Sequence, residues 1–437
     1  MAEPLNSGPI STRLQRIAEL ARERPETAFR SIHHIIDLEF LKDAHGRVRK
    51  DGAVGVDGLT AQEYEQELES NLRALLDRWK LGTYRAPPVR RVHIPKGKGK
   101  TRPIGIPTFE DKILQKAVAM VLSAIYEQDF LDCSYGFREG RSQHQALEAM
   151  WQATMSMGGG WVIEIDIEGY FDAIDKAHLR SFLDRRVTDG KMRRVIHKWL
   201  KAGVMEEGRH RHPDTGTPQG GVISPLLANV YLHEVFDVWF ANEVRPRLQG
   251  RAAPFRFADD IVVICEGRRD AEKLLTALRK RFEKYGLSLH PDKTRIVPFE
   301  RPRDGGGGAD RSGTFDFLGF THHWGKSKKG NWTVRRRTAR DRFARALRSI
   351  AEYCRRNRHL SLEQQHRALS RKLRGHYGYY GITSNMEALG RFHDRVEAVW
   401  RYWLDRRGGK RRMTWEKFRC LLGHWSLPPP RVVHSYV

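Results

Sequence analysis

A chain of 437 residues is long enough for two or three domains with a substantial core, and 40% hydrophobic residues fit a folded protein rather than a disordered one. Lys and Arg number 78 against 53 Asp and Glu, a net charge of +25 with an isoelectric point near 10.1. Such an excess does nothing for folding and favours a polyanionic partner, nucleic acid or an anionic surface.

In chain order, MAEPLNSGPISTRLQR lacks the apolar segment of a signal peptide, and residues 12 to about 45 read as helical. KDGAVGVDGLT follows as a Gly-rich loop before a helix from Ala61 to Lys80. Val89 to Pro107, VRRVHIPKGKGKTRPIGIP, has the alternation and Gly/Lys tip of a hairpin. Asp111 to Tyr126 is helical and largely apolar, so it should be buried. In WVIEIDIEGYFDAID, Ile163, Ile165 and Ile167 alternate with Glu164 and Asp166, the period of a strand. That strand should end with Asp166 pointing away from its apolar face. After Gly220 and Gly221, Leu226, Leu227, Val230, Tyr231 and Val235 recur at helical spacing. DGGGG, Asp304 to Gly308, reads as a loop before the strand-like TFDFLGF.

Three helical stripes close the chain. The first is Phe343, Leu347, Ile350 and Cys354; the second is Leu362, His366, Leu369 and Leu373, with Ser361 and Gln364 spaced as a capping box. Leu389, Phe392, Val396, Val399 and Trp403 form the third, and basic residues take the opposite faces. From Gly330 onward 25 Lys and Arg face 8 Asp and Glu, a surplus of 17. Trp332, Trp400, Trp403, Trp415, Trp425, Tyr377, Tyr379 and Tyr380 lie in the same stretch, which predicts a folded basic surface instead of a solvated tail. No stretch approaches the roughly 18 apolar residues that span a bilayer, so no membrane partner is expected. Cys133, Cys265, Cys354 and Cys420 are too scattered for a disulfide framework or a zinc pair, and a reducing cytoplasm fits them.

FRFADDIVVIC, Phe255 to Cys265, sets two carboxylates between short apolar strands. Adjacent like charges repel, and burying one without a partner is costly. Alone the pair reads as a solvated turn. Asp166 at another strand end makes a third carboxylate, and divalent cations would remove the repulsion. Mg²⁺ prefers hard oxygen ligands and bridges substrate phosphates. Two ions about 3.5–4 Å apart can activate an attacking oxygen and steady a departing one.

The order of these segments carries a resemblance. GYFD after Asp166, GTPQGGVISP before the Asp pair and GLSLHPDKT after it resemble the ordered blocks of a reverse transcriptase, most closely a bacterial group II intron reverse transcriptase/maturase. GVDG (Gly55 to Gly58), RPIGIPTFEDKILQ, SYGFREGRSQHQAL, FLGF, RKLRGHYGYYG and LPPPRVVHS extend it over nearly the whole chain. The resemblance implies an α+β right-hand polymerase. Its N-terminal extension would span 1–88, fingers and palm 89–325 (an antiparallel sheet packed on helices), a three-helix thumb or maturase domain 326–405, and a short basic segment 406–437.

The same resemblance implies that Asp166, Asp259 and the Ile167 carbonyl ligate two Mg²⁺ ions, with Asp260 adjacent. Phe171 would lie beneath the sugar of the incoming nucleotide and exclude a 2′-hydroxyl. Gln219 would contact that nucleotide, and Lys96 and Arg102 its triphosphate, where cations compensate developing charge. Phe257, Gly319, Arg138 and Arg141 would meet primer and template; Arg371, Lys372 and Arg374 would meet RNA on the thumb. Relatives often carry Tyr where this chain has Phe257, a change that keeps the ring and should keep activity. Expected partners are an RNA template with a DNA primer, deoxynucleotides, the parent intron RNA and target DNA, in a bacterial cytoplasm near the nucleoid. RRGGKRRMTWEKFRCLLGHW is a candidate DNA-binding remnant, and with no HNH endonuclease pattern target cleavage is not expected. The alternatives are a non-catalytic RNA chaperone for splicing, which would need no carboxylate cluster, and a domesticated enzyme of repair or phage defence. Phe171 disfavours an RNA-dependent RNA polymerase.

Overall fold

In the computed structural model, residues 9–97, 100–206, 209–211, 220–302, 312–407 and 412–435 are described. The hairpin read from Val89 onward forms as β1 (Val89–Gly97) and β2 (Lys100–Ile106), paired antiparallel from Arg90 opposite Ile106. The alternating isoleucines form β3 (Trp161–Asp166). Two short strands, β4 (Val204–Glu206) and β5 (Arg209–Arg211), extend the first hairpin into a sheet ordered β2-β1-β4-β5, in which β1 and β4 are parallel.

The central sheet is antiparallel. Its order is β6-β7-β3-β8, with β6 (Ala252–Phe257), β7 (Asp260–Cys265) and β8 (Arg295–Pro298). Both its faces are covered, which explains the near-continuous apolar run of β7. Ile163, Ile165, Ile261 and Val263 join the main core beneath the helices, including the buried helix Phe109–Asp129. Val162, Val262, Ile264 and Val297 pack against Phe315, Phe317, Phe320 and Trp324. These last come from a third sheet, ordered β11-β10-β9, of β9 (Phe315–Phe317), β10 (Phe320–Lys326) and β11 (Trp332–Thr338).

Three long helices follow, Arg340–Arg356, Leu362–Tyr380 and Met386–Asp405, and the second starts with the Ser361–Gln364 capping box. Their shared core holds Ile350, Cys354, Leu369, Leu373, Leu389, Phe392, Val396 and Trp400. In the third stripe Trp400 and Leu404 are buried while Val399 and Trp403 only pack at the margin. The 3.6-residue turn drifts one position from a strict 3-4 count over that length. His366 likewise stays partly exposed, and its Nε2 donates to the Ser426 carbonyl at 2.8 Å.

The N-terminal helix is not continuous. It runs Pro9–Glu23, breaks across Pro25, and resumes as Leu38–Gly46, capped by Asp37. Ala61 to Leu81 is also two helices, interrupted at Glu67. Strand β10 runs through the boundary expected at 325–326, and the helical part begins at Arg340. Helix Trp415–His424 buries Phe418 in the same core as Trp400, so the basic C-terminal segment folds onto the three helices. No described helix is long and apolar enough to cross a membrane.

Candidate active site

The two aspartates sit where β6 turns into β7. Phe257 pairs with Asp260, leaving Ala258 and Asp259 as a two-residue turn, and Ala258 has φ 57°. Tight hairpin turns demand positive φ at that position, which a residue with a Cβ adopts only at a cost. The surroundings hold it there. Arg256, wholly buried, donates from Nε and Nη2 to the two Asp237 oxygens at 2.8 and 2.5 Å. Its Nη1 donates to Asn229 Oδ1 at 2.9 Å and to the Ala258 carbonyl at 3.3 Å. Asp237 is delivered by a π-helical turn, His233–Asp237, that continues the helix Ser224–Leu232. Such turns are frequent at functional sites. A buried ion pair adds little net stability, but here it fixes the carbonyl of the strained residue.

Gly136 closes the turn from the other side. A Cβ there would stand 2.3 Å from the Ala258 nitrogen, so only glycine lets the two backbones meet. Asn229 Nδ2 donates to the Gly136 carbonyl at 2.7 Å, tying this segment to the same network.

Strand β3 brings the third carboxylate. Asp166 lies directly opposite Asp260 in the β3–β7 register. Its backbone is braced by the segment after the helix Arg268–Lys284. His290 N–H donates to the Asp166 carbonyl at 2.8 Å, and Asp166 N–H donates to Thr294 Oγ1 at 3.3 Å. Ile167 bridges Leu289 without spending its own carbonyl, because the bonds run from Glu168 N–H to Ser288 and from His290 N–H to Asp166.

The charges explain the rest of the geometry. Crowding by the surrounding protein, with the like charges of Asp259 and Asp166 added, pushes the Asp260 carboxyl up to about 6, while Arg342 pulls the other way. Water still reaches Asp260, which is exposed at the start of β7, so the repulsion is the firmer of the two causes. Lys293 Nζ lies 3.1 Å from both Asp166 oxygens and offsets part of that repulsion. Among the described residues no three His, Cys, Asp or Glu side chains are drawn together tightly enough to hold a metal ion. The donor set is nonetheless all hard oxygen, borne on adjacent strands and mutually repelling, which is the chemistry a divalent cation suits.

Other expected residues divide by surroundings. Arg102 is exposed on β2, opposite Ile94 near the hairpin tip. Lys96 belongs to β1, but its side chain, like Gln219, lies outside the described residues. Phe171 is half-buried in the short helix Tyr170–Ala173 that follows Asp166, and packs on the main core. Phe257 is half-buried on β6, and Gly319, with φ 78°, turns β9 into β10. Arg371, Lys372 and Arg374 are exposed around the buried Leu373, with the Lys372 ammonium 5.4 Å from the Tyr353 ring centre.

Arg138 needs correction. It is buried, and its guanidinium donates to Glu127 at 2.9 Å and to the Leu131 and Ser134 carbonyls at 2.9 and 2.8 Å. Those donors are committed to the protein, so Arg138 shapes the segment rather than touching a nucleic acid. Arg141, bonded to the exposed Asp132 at 2.6 Å, remains accessible. Local pattern could not separate these two arginines. Nor did it show Lys293, which stands in GLSLHPDKT but reaches Asp166 only through the fold, or Phe137, 57% exposed with φ 57° beside Gly136, which meets the Ala258–Asp259 turn.

An antiparallel sheet carrying three carboxylates at one end, packed on helices and followed by a helical part, has the form of the palm of a template-directed nucleotide polymerase. The family model described as "Reverse transcriptase (RNA-dependent DNA polymerase)" matches residues 94–322, just over half of the chain. Protein YkfC of Escherichia coli K12 is 37% identical over 272 residues, 55% of this chain and 71% of that protein. The group II intron-encoded protein LtrA of Lactococcus lactis subsp. cremoris is 37% identical over 309 residues, 68% of this chain. The chain spans about half the length of LtrA, 51%. A putative COX1/OXI3 intron 1 protein of Saccharomyces cerevisiae is 30% identical over 217 residues, 49% of this chain and 26% of that protein. The chain belongs to the reverse transcriptase family, RNA-directed DNA polymerases, and is similar within it to group II intron-encoded proteins.

Proposed function

We propose that the chain extends a DNA primer along an RNA template and, in the same role as an intron-encoded maturase, binds group II intron RNA, assists its splicing and copies it into DNA at a target site. The observation that carries the polymerase reading is the pairing of Asp166 with Asp260 across β3 and β7, with Asp259 in the adjoining turn. Asp166, Asp259 and the Ile167 carbonyl would hold two Mg²⁺ ions beside Asp260. When bound, they supply charge for the attacking 3′-hydroxyl and the departing pyrophosphate.

The chain's own groups do the rest. Lys293 Nζ, 3.1 Å from both Asp166 oxygens, offsets the charge of a carboxylate that would serve as a ligand. Arg102, with Lys96, grips the triphosphate of the deoxynucleotide, and Gln219 meets it near the ribose. Phe171 fills the space that a 2′-hydroxyl would need. Phe257 and Gly319 border the primer end, and Arg141 meets the template. Exposed Arg371, Lys372 and Arg374 contact RNA phosphates, where each cation displaces condensed counterions. A bacterial cytoplasm supplies these partners.

The test is extension of a labelled DNA primer on an RNA template, with Mg²⁺ and with chelator. Extension that requires Mg²⁺ and deoxynucleotides is expected. RNA binding at full strength with no extension under any divalent ion would leave a binding protein in its place.

A further inference from the structure

The segment Leu427–Ser435 contains LPPPRVVHS, which none of the roles above uses. It lies as a strap over the end of the helix Leu362–Tyr380. Val433 and His434 N–H groups donate to the Gly381 carbonyl at 2.7 and 2.9 Å, and Thr383 N–H donates to His434 at 3.1 Å. The fit is close: a Cβ on Gly381 would stand 2.6 Å from the Arg431 carbonyl and 2.3 Å from that of Tyr377.

His434 carries the contact further. Its ring stacks on that of His144, with centres 3.6 Å apart and planes at 20°. His434 Nε2 lies 3.0 Å from the Gly378 carbonyl, and His144 Nε2 lies 2.9 Å from the Tyr379 carbonyl. Carbonyls only accept, so both Nε2 atoms bear hydrogen. Two imidazoles from distant parts of the chain thus clamp the GYYG segment between the strap and the helix Gln143–Met157.

The clamped tyrosines hold the turn at Gly319. Tyr379 Oη donates to the Leu318 carbonyl at 2.8 Å, and its ring stacks on Phe320 at 5.8 Å. Tyr380 Oη stands 3.1 Å from where a Gly319 Cβ would be. Leu318 has φ 49°, a conformation that a branched side chain keeps only when its surroundings impose it. The thumb side contributes one bond, from Ala339 N–H to the Gly319 carbonyl at 3.0 Å.

We propose that His434 and His144 are positioning residues for the primer terminus, acting through Tyr379 to hold the strained Leu318–Gly319 turn. This rests on the polymerase reading above. Neither histidine touches the reacting atoms; they fix the register of the tyrosine that does the holding. Loosening the strap should therefore weaken capture of the primer–template duplex while leaving the chemical step intact once the duplex is saturating.

The test is steady-state extension with the full chain, titrating duplex at saturating deoxynucleotide. His434→Ala and Tyr379→Phe are each expected to raise KM for duplex about tenfold, with kcat within about twofold, because a small misplacement of a positioning group costs binding geometry. The double variant should be no worse than the poorer single one, since both break a single chain of contacts. His434→Phe, which keeps the ring stack, should recover most of the loss. An active wild type whose variants leave duplex KM unmoved overturns the inference, as do effects that multiply in the double variant. Tyr379→Phe removes one oxygen, so it keeps the test available should His434→Ala not fold. A wild type that extends no primer takes the polymerase reading down as well.

Discussion

Phe171 stands five positions after Asp166, half-buried against the main core in the short helix that follows β3. Packing alone would account for a ring there, so its role in sugar selection needs its own test. Phe171→Ala should admit ribonucleotides, lowering discrimination against them about tenfold or more, because rejection by shape is lost with the ring. Competition between deoxy- and ribonucleotides in extension measures it, and unchanged discrimination with reduced stability would leave Phe171 as core. The placement of Asp166 at a strand end and of Asp259 and Asp260 at a hairpin tip was legible from short-range pattern. Their joint role came only from the order of the motifs and the resemblance it carries. Arg138 and Lys293 were not legible. Burial of the one and the reach of the other to Asp166 are set by segments far away in sequence, about which a local pattern is silent.

At the scale of elements, the buried helix Phe109–Asp129 carries a carboxylate that the apolar pattern did not explain. Asp111 accepts from Tyr84 Oη, from Trp199 Nε1 at 2.7 Å and from Gln115 Nε2 at 3.0 Å, joining the helix Phe109–Asp129 to the helix Gly190–Lys201. Burial outweighs these three donors and pushes its carboxyl up from 3.8 to about 6. The folded chain then binds the proton more tightly than the unfolded one. The stabilisation from this group is complete below about pH 4 and is lost as pH rises to about 6. Denaturation of wild type and Asp111→Asn at several pH values should show wild type losing stability relative to the variant across that window, and a constant gap above it. A gap constant from pH 4 to 7 would mean that the donors hold the carboxylate at its ordinary value. Helices and strands themselves were well foreseen where periodicity was long. The breaks at Pro25 and Glu67 and the burial of Trp400 in place of Val399 mark where a simple period ceases to describe a real helix.

For the whole molecule, the surplus of 17 positive charges after Gly330 includes Arg371, Lys372 and Arg374, which are exposed around a buried leucine of the helix Leu362–Tyr380. Replacing all three with Gln should weaken RNA binding and lower the salt slope by about 0.7 per lost single-strand phosphate contact. Binding titrations from low to moderate salt give both quantities, and an unchanged slope would move the RNA surface elsewhere. The central claim, that three carboxylates on adjoining strands make this chain a polymerase, is tested most directly by Asp259→Ala in RNA-templated primer extension alongside RNA binding. Loss of several kcal/mol of transition-state stabilisation predicts extension reduced about a thousandfold or more with RNA affinity unchanged. Extension at the wild-type rate would contradict the account.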